Sequence, residues 1–447
     1  MNPNRLATLL LASPSRPFPV RLWDGTELPG APGTDVPGSV VLRSPAAVQA
    51  LVPPAAELRL AEAVIDGAIE LEGDAVALLE AAARWEGPRP RLSVLGAALA
   101  VAVRRALFRR APPPLEARLA GDVHSLPRDR DAVRHHYDVS DGFYRLFLDE
   151  GLVYSCGYFA RPGDTLEAAQ RAKLELVCRK LALARGDRLL DVGCGWGALV
   201  LHAARHHGAA PLGITLSANQ LLAAREAAAR GHLEVQIEGA DYRTVRPDRP
   251  FDKIASVGMM EHVGRPRLAG YLARMHELLR PGGLFLNHAI ADAGDGRPPL
   301  RWARRRGGGF ISRYVFPDGE LVTLGELVTA AERAGFEVRD VESLREHYAE
   351  TLLHWLRRLE ARWREAVALA GERRARVYRL YLAASVAAFR EGRITVFQLL
   401  LARRDAAGRA QGLPRCRADW YADLPRSGEE PPAPGGRTQP SQDRASA

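Results

Sequence analysis

The chain has 447 residues and a formal net charge of +9, and its basic side chains are arginines except at Lys173, Lys180 and Lys253. This length allows one main domain with a large core and one smaller unit. The four cysteines form no close pair, so neither a disulfide framework nor a structural zinc site is indicated, no metal is expected, and a cytoplasmic location is the simplest. The positive charge favours anionic partners such as nucleic acid or a phospholipid headgroup layer.

Residues 1–110 mix β-rich pieces at 39–42 and 63–71 with helical pieces at 75–84 and 92–108, which predicts a small α/β domain. The apolar run at 92–103 is shorter than the ~20 residues of a spanning helix, so no transmembrane segment is expected. The last helix ends in arginines, and it either lies on a membrane surface or packs ordinarily with a solvated end. Three prolines at 112–114 then predict a linker over 111–130.

Strands and helices alternate over residues 131–423, which predicts a doubly wound parallel sheet with helices on both faces. The strands are expected at 188–192, 210–215, 234–238, 253–257 and 283–288. Helices are expected between them, for example at 199–206, 218–230 and 267–279. The remainder, residues 424–447, is rich in Pro, Gly, Ser and Gln and is expected to be a disordered tail.

A glycine-rich loop follows the first strand of this region. Asp191 precedes the glycines Gly193, Gly195 and Gly197, and a helix follows them. A strand–loop–helix of this kind lets the backbone turn sharply and approach a ligand closely. The spacing is GxGxG, and the second strand ends in Thr215 instead of an acid, so a nicotinamide or flavin dinucleotide is disfavoured. A structural turn without a ligand is the alternative.

Polar residues also follow three later strands. Asp241, after the third strand, is placed to accept a hydrogen bond from an adenine amino group, although such an aspartate is commonly a cap. Glu261 follows the fourth strand and His288 ends the fifth. In a sheet of order 3-2-1-4-5 the last two strands are neighbours about 5 Å apart, so Glu261 and His288 meet at the ligand-binding edge. An acid beside an imidazole suggests proton chemistry, whereas a core histidine is the alternative for His288.

These segments resemble the cyclopropane fatty acid synthase family, which includes the mycolic acid cyclopropane synthases. The matching segments are HYDVS at 136–140, YSCGYF at 154–159, the loop at 191–197, GITLS at 213–217 with Gln220, EHVG at 261–264, HAI at 288–290, RYVFP at 313–317 and Tyr348 with Thr351, Leu352 and Trp355. The resemblance implies an S-adenosylmethionine-dependent methyltransferase with a Rossmann-like sheet, helical additions and a smaller N-terminal α/β domain.

The resemblance also implies a mechanism and a set of catalytic residues. In the family the π-bond of a cis-unsaturated acyl chain attacks the cofactor methyl, and the carbocation then loses a proton and closes the ring. A bicarbonate held in the site serves this step, and its ligands here would be Cys156, Glu261, His288, Tyr348 and the backbone of Ile290. Tyr314 and nearby aromatic rings would steady the cation through their ring faces.

The cofactor contacts implied by the resemblance are Tyr154, Ser155, Gly193, Thr215, Leu216, Gln220, Ala240 and Asp241, and the glycine-rich loop adds Asp191, Gly195 and Gly197. Asn287 and Ala289 depart from residues common in the family. Residues 63–71 are similar to the small lipid-associated domain of the phospholipid-acting members. This favours unsaturated phospholipid acyl chains at a membrane surface as the substrate of a cytoplasmic, peripherally membrane-associated enzyme, without a nucleic-acid partner.

Several alternatives remain open at this point. The product could instead be a methyl-branched or methylene acyl chain, the substrate a small metabolite, or the protein a lipid- or cofactor-binding protein without turnover. The arginines at 301–306 either grip a lipid phosphate or form a solvated loop. Residues 352–363 are expected to form a helix packed in the core or in a homodimer.

Overall fold

The computed structural model of the chain describes residues 3–11, 13–51, 56–85, 115–117, 119–137, 139–294, 309–409 and 413–424. The predicted helix at 92–108, the arginines at 301–306 and residues 425–447 of the predicted tail lie outside the described residues. Among those that are described, no helix combines the length and the apolar character that crossing a membrane requires.

The N-terminal unit is a small α/β structure, as the sequence predicts. Its four strands have the order β2-β1-β3-β4. The elements are α1 (Pro3–Leu11), β1 (Val20–Arg21), β2 (Glu27–Leu28), β3 (Gly38–Leu42), α2 (Ala56–Ile65), β4 (Ile69–Gly73) and α3 (Ala75–Arg84). The expectation of strand over 63–71 is wrong for its first part, because Ala63 to Ile65 form the last turn of α2 and a turn at Gly67 then leads into β4.

The larger sheet has seven strands, β5 (Arg188–Val192), β6 (Ala210–Ile214), β7 (Gln236–Glu238), β8 (Phe251–Val257), β9 (Leu279–Asp292), β10 (Glu337–Ser343) and β11 (Ile394–Ala402). Their order is β7-β6-β5-β8-β9-β11-β10. The first five reproduce the expected order 3-2-1-4-5, and the Rossmann-like fold class is confirmed. The sheet is mixed and not wholly parallel, because β11, which the sequence analysis did not predict, runs antiparallel to both of its neighbours.

The helices of this region are α4 (Leu126–Tyr137), α5 (Asp141–Tyr144), α6 (Leu166–Lys180), α7 (Ala198–His202), α8 (Ala218–Arg230), α9 (Leu268–Leu278), α10 (Phe310–Tyr314), α11 (Leu324–Arg333), α12 (Arg345–Ala361), α13 (Trp363–Ala370), α14 (Glu372–Arg390) and α15 (Ala418–Tyr421). The helix predicted at 199–206 is α7 followed by a π-helical turn, Ala203–His207. Helix α4 runs across the boundary expected between linker and catalytic domain at residue 131.

Helix α14 is buried without interruption from Leu380 to Phe389, where it is largely apolar on all sides, whereas its first half carries several arginines. Its neighbour α12 contains the predicted helix at 352–363, and the Trp355 side chain is fully buried in the core of the chain. No second subunit is needed to bury these residues, since the same chain already covers them. The homodimer stays an untested expectation.

A stripe of arginines on α14 joins the catalytic region to the N-terminal unit. Arg373 pairs with Asp66 at 2.8 Å, and Arg376 pairs with Glu70 at 2.8 Å. Arg379 donates to the carbonyl of Leu71 at 3.1 Å. These arginines are three residues apart and therefore share one face of the helix. The apolar residues of both units belong to one continuous core, so the two units pack as one body along α14.

Candidate active site

Two adjoining cavities open at the carboxyl ends of the parallel strands, where ligands bind in sheets of this kind. The first cavity, of about 150 Å³, surrounds the glycine loop, and the second, of about 140 Å³, lies beside β9 and α14. Tyr154, Ser155, Gly258 and His262 line both. A group bound in one cavity can therefore reach a group bound in the other.

Ten of the eleven residues predicted to contact the cofactor line the first cavity, namely Tyr154, Ser155, Asp191, Gly193, Gly195, Thr215, Leu216, Gln220, Ala240 and Asp241. The eleventh, Gly197, does not line it. A Cβ at Gly197 would lie 3.1 Å from the Ala224 Cβ on α8, so this glycine allows the loop to pack against that helix. Gly197 thus serves helix packing in this structure.

The glycine loop turns through left-handed backbone conformations. The φ angles of Gly193, Gly195 and Gly197 are +83°, +56° and +89°, which other residues adopt only with strain. The Gly193 and Cys194 amides donate to the carbonyl of Ile214 at 3.0 and 2.9 Å, which fixes the loop on β6. A Cβ at Gly195 would meet no atom within 4 Å, so it would project into the open cavity.

The predicted adenine acceptor, Asp241, is held by an arginine. Arg243 donates to both carboxylate oxygens of Asp241 at 2.7 Å and also pairs with Asp129 at 2.7 Å. Both carboxylates raise the pKa of Arg243, which is charged at all working pH values. A carboxylate has further lone pairs, so Asp241 can still accept a hydrogen bond from a ligand. Sequence reasoning did not find the Arg243–Asp129 pair, which orients Asp241.

Lys173 is a second cavity residue that sequence reasoning missed. It is buried, and its Nζ donates to Ser155 Oγ at 2.9 Å. Burial lowers the pKa of Lys173 to about 8, while the carboxylates of Asp149 and Asp191 oppose that change. Burial raises the pKa of Asp149 to about 6 and that of Asp191 to about 7. The ammonium group therefore offsets part of the cost of burying two carboxylates behind the cavity.

All five residues predicted to be catalytic line the second cavity: Cys156, Glu261, His288, Ile290 and Tyr348. Tyr314 does not line it. Its hydroxyl donates to Glu62 and Glu116, whereas Phe316 and Tyr381 are among the aromatic residues that line the cavity. The expectation that Tyr314 faces the reacting chain is wrong, because α10 directs this side chain toward the N-terminal unit.

Glu261 presents one free carboxylate oxygen to the second cavity. Its Oε1 accepts a hydrogen bond from the Ile290 amide at 2.7 Å. Its Oε2 is buried and has no hydrogen-bond partner among the described residues. Burial raises the pKa of Glu261 to about 7, which suits a group that exchanges a proton near neutral pH. The Ile290 amide thus holds the carboxylate on the β9 edge.

His288 lies opposite Gln398 in the β9–β11 pairing, and both are buried. Gln398 Nε2 lies 3.3 Å from His288 Nδ1, which leaves His288 Nε2 buried and without a hydrogen-bond partner in the described part of the chain. Burial and the nearby lysines lower the pKa of His288 well below its ordinary value, so the ring is neutral. With Nδ1 accepting from the amide, Nε2 carries the proton and can donate into the cavity.

Cys156 and Tyr348 complete the wall of the cavity. The Cys156 thiol is fully buried, and burial raises its pKa well above the usual range, so it is a neutral thiol and not a nucleophile. Its Sγ lies 3.2 Å from the carbonyl of Gly157. The Tyr348 ring packs 4.8 Å from the Phe389 ring, measured between centroids. Both side chains are therefore part of the buried wall of the cavity.

The residues present fit a small oxyanion such as bicarbonate. Glu261 Oε2 and His288 Nε2 are the two buried atoms of this cavity for which the described structure shows no partner. The first is an acceptor, and the second is a donor. A bicarbonate has one hydroxyl to donate and oxygens to accept, so it matches both. Buried polar atoms without partners are costly, so a group that bonded to both atoms would stabilise the site.

Residues 124–399 match the model of the family described as mycolic acid cyclopropane synthetase. The chain belongs to this family. A protein from Pseudomonas putida named probable fatty acid methyltransferase is 41% identical over 413 residues, which cover 91% of this chain and 96% of that protein. Sphingolipid C9-methyltransferase A of Emericella nidulans is 35% identical over 65% of this chain and 57% of its own length.

A solved structure shows the same relationship. The mycolic acid cyclopropane synthase CmaA1, complexed with SAH and CTAB, superposes with a TM-score of 0.57 at 36% identity, covering 61% of this chain and 97% of that one. Membership in the cyclopropane synthetase family makes this protein an S-adenosylmethionine-dependent methyltransferase that acts on lipids.

Leucine in place of Gln398 is expected to lower the turnover of this methyltransferase about tenfold. Loss of the hydrogen bond from Gln398 lets the His288 ring rotate out of position. The lost bond costs about 1.4 kcal/mol, and a cost of this size in the transition state corresponds to a factor of ten in rate. The kcat should fall while the dissociation constant for S-adenosylmethionine, measured by calorimetry, stays the same. Leucine at the exposed Gln236 of β7 is the matched control, and an unchanged kcat in Gln398→Leu would show that the amide does not position His288.

Proposed function

We propose that this protein adds the methyl carbon of S-adenosylmethionine to the cis double bond of unsaturated phospholipid acyl chains and closes a cyclopropane ring. The observation that carries the proposal is the buried pair of Glu261 Oε2 and His288 Nε2 in a largely apolar cavity beside the glycine loop. An acceptor and a donor in such a cavity can take part in the transfer of one proton away from bulk water.

The first cavity is the proposed cofactor site, held by the ten lining residues named above. S-adenosylmethionine, when bound, supplies an electrophilic methyl group on a sulfonium. Asp241 would accept from the adenine, and the loop at Gly193 and Gly195 would let the backbone approach the ligand. Lys173 and Ser155 lie at the wall near the second cavity and would orient the reacting end.

The second cavity is the proposed acyl-chain site. Its apolar side chains include Leu352, Phe389, Ile394 and Val396. An isolated double bond is a poor nucleophile and a carbocation reacts with water, so a water-excluding wall is required. The rings of Phe316 and Tyr381, which line this cavity, would stabilise the cation formed when the double bond takes the methyl carbon and the carbon–sulfur bond breaks.

Glu261 and His288 are the proposed proton-handling residues. Bicarbonate held between them would supply the proton acceptor. Glu261 Oε2 would accept its hydroxyl proton, and His288 Nε2 would donate to one of its oxygens, so both buried atoms gain partners. The proton leaves the new methyl group, the ring closes, and the products are the cyclopropane chain, S-adenosylhomocysteine and one proton.

A membrane surface on the cytoplasmic side is the proposed place of action. The formal charge of +9 supports this, since a positive protein is attracted to anionic headgroups. The N-terminal unit, joined to α14 by the arginine stripe, is the proposed lipid-associated domain. This placement brings the second cavity to the acyl chains and needs no spanning helix.

The test is incubation with isotopically labelled S-adenosylmethionine and vesicles of cis-unsaturated phospholipid. Label should enter the lipid, and each modified acyl chain should gain the mass of one methylene and lose its olefinic protons. Vesicles of saturated phospholipid are the control and should take up no label. Labelling of small molecules without vesicles, and none of lipid, would overturn the proposal.

A second candidate product is a methyl-branched or methylene acyl chain. Two relatives favour it, since one carries the name fatty acid methyltransferase and the other sphingolipid C9-methyltransferase. The first step is shared, and the cation would then lose a different proton. Olefinic protons in a chain that has gained the mass of one methylene would identify this outcome in the same assay. A saturated methyl branch, which also needs a hydride donor, would instead add CH₄.

A further inference from the structure

A cluster of metal-binding side chains lies outside both cavities, between α6 and the π-helical turn after α7. The ligand atoms of Cys178, His202 and His207 all lie within 4.8 Å of one another. Glu175 lies one helical turn before Cys178, and its Oε2 is 3.0 Å from His202 Nε2 and 3.1 Å from His207 Nε2. One carboxylate oxygen thus faces two imidazoles at once.

We propose that Cys178, His202 and His207 bind one Zn²⁺ ion, with Glu175 orienting both imidazoles. A thiolate and two imidazoles are ligands of the types that Zn²⁺ takes in tetrahedral sites, where a water can complete the set. Metal–ligand bonds of about 2.0–2.3 Å place neighbouring ligand atoms about 3.3–3.7 Å apart. The three ligand atoms already lie within 4.8 Å of one another, so they need only small movements to share the ion.

The π-helical turn is what brings the two histidines together. His202 and His207 are five residues apart, and in an α-helix of 3.6 residues per turn they would point about 140° apart. The turn Ala203–His207 is π-helical, with hydrogen bonds spanning five residues, and it carries His207 to the side of His202. Such turns are often found at functional sites. The local backbone therefore favours a shared ligand for the pair.

Burial and charge also suit Zn²⁺ at this place. Cys178 is fully buried and His202 nearly so, which leaves little access for water. The Cys178 thiolate would offset one charge of the ion, and Glu175, which also accepts from Arg179 Nε at 2.7 Å, lies beside both imidazoles. None of the three ligands lines either cavity, which indicates a structural and not a catalytic ion.

The ion would connect two helices that support the glycine loop. Helix α7 begins directly after Gly197, and α6 carries Lys173 to the wall of the first cavity. Binding at their far ends would tie α6 to α7 through side chains from both. We therefore expect the metal to raise the melting temperature of the protein by several degrees, because it binds the folded chain and not the unfolded one.

The experiment uses the full, untagged protein, stripped with a chelator and then supplied with Zn²⁺ or Co²⁺. One Zn per chain should remain after gel filtration, as measured by elemental mass spectrometry. The Co²⁺ form should show the visible absorption of a tetrahedral thiolate complex. Both signals should be lost in Cys178→Ser and His207→Asn. Both should remain in Cys416→Ser and His232→Asn, which change an exposed cysteine and an exposed histidine.

The wild-type protein alone can overturn the proposal, so the test does not depend on how the variants fold. Less than a tenth of an equivalent of Zn after gel filtration, or Co²⁺ spectra without a thiolate band, would contradict it. Equal Zn retention in wild type and a folded Cys178→Ser would do the same. None of these readouts uses methyl transfer, so they are independent of the proposed function.

Discussion

Replacing Glu261 by glutamine is expected to lower turnover about a hundredfold to ten-thousandfold, the range typical of a lost group in proton transfer. The amide keeps the shape of the side chain and can still accept from the Ile290 amide through its oxygen. It presents an NH₂ group to the cavity in place of Oε2, so it donates where the carboxylate accepts. Turnover is measured with unsaturated phospholipid vesicles.

The same variant should bind S-adenosylmethionine as the wild type does, because Glu261 lines the second cavity and not the first. Glutamine at Glu332, which is exposed on α11, is the matched control and should leave turnover unchanged. A Glu261→Gln protein with normal turnover would remove this carboxylate from the mechanism. An equal loss of turnover and of cofactor affinity would place it in the cofactor site instead.

The acidity of Glu261 gives the reaction a pH dependence. Burial raises its pKa to about 7, and the ionised form is the proton acceptor, so turnover should rise with pH through about 7. Asp191, in the first cavity, also has its pKa raised to about 7 by burial. The two sources differ in a measurable way: a rise due to Glu261 vanishes in Glu261→Gln, whereas one due to Asp191 persists and follows the affinity for the cofactor.

Leucine in place of Gly195 is expected to abolish binding of S-adenosylmethionine. Gly195 lines the first cavity and a Cβ there would meet no atom within 4 Å, so a leucine side chain would occupy space where the cofactor would lie. The φ angle of +56° adds backbone strain for any residue other than glycine. Backbone strain alone costs about 1–2 kcal/mol and would lower the stability of the protein without closing the cavity. Binding is measured by calorimetry on the purified variant.

Gly186 offers the matched control for that strain. Its φ is +81°, a Cβ there would also meet no atom within 4 Å, and it does not line the first cavity. Gly186→Leu should therefore lose a similar amount of stability in thermal unfolding and keep its affinity for the cofactor. If both variants bound the cofactor equally well, the loop would not be the binding element.

The sequence predicts the parts of the site that depend on local pattern. The strand at Arg188–Val192 and the glycines after it can be identified because the β-rich run and the spacing are contiguous. Glu261 and His288 can be placed together because strand order follows general rules for parallel sheets. The structure pairs β8 with β9, and both side chains line one cavity.

The sequence does not predict the parts that depend on register and packing. Strand β11 is a continuous apolar run that a buried helix could equally show, so Gln398 gave no signal before its pairing with His288 was known. In the sequence Lys173 looks like an ordinary helical residue, and only the packing of α6 on the sheet shows that it is buried. The cysteine spacing argued against zinc, whereas the π-helical turn brings Cys178 together with histidines more than twenty residues away.

Helix α14 contacts both the second cavity and the N-terminal unit. One face carries Tyr381, Ser385 and Phe389 to the second cavity, and the arginine stripe on another face contacts the N-terminal unit. Chimaeras that exchange N-terminal units between family members will therefore fold only if the outer face of this helix is exchanged with them.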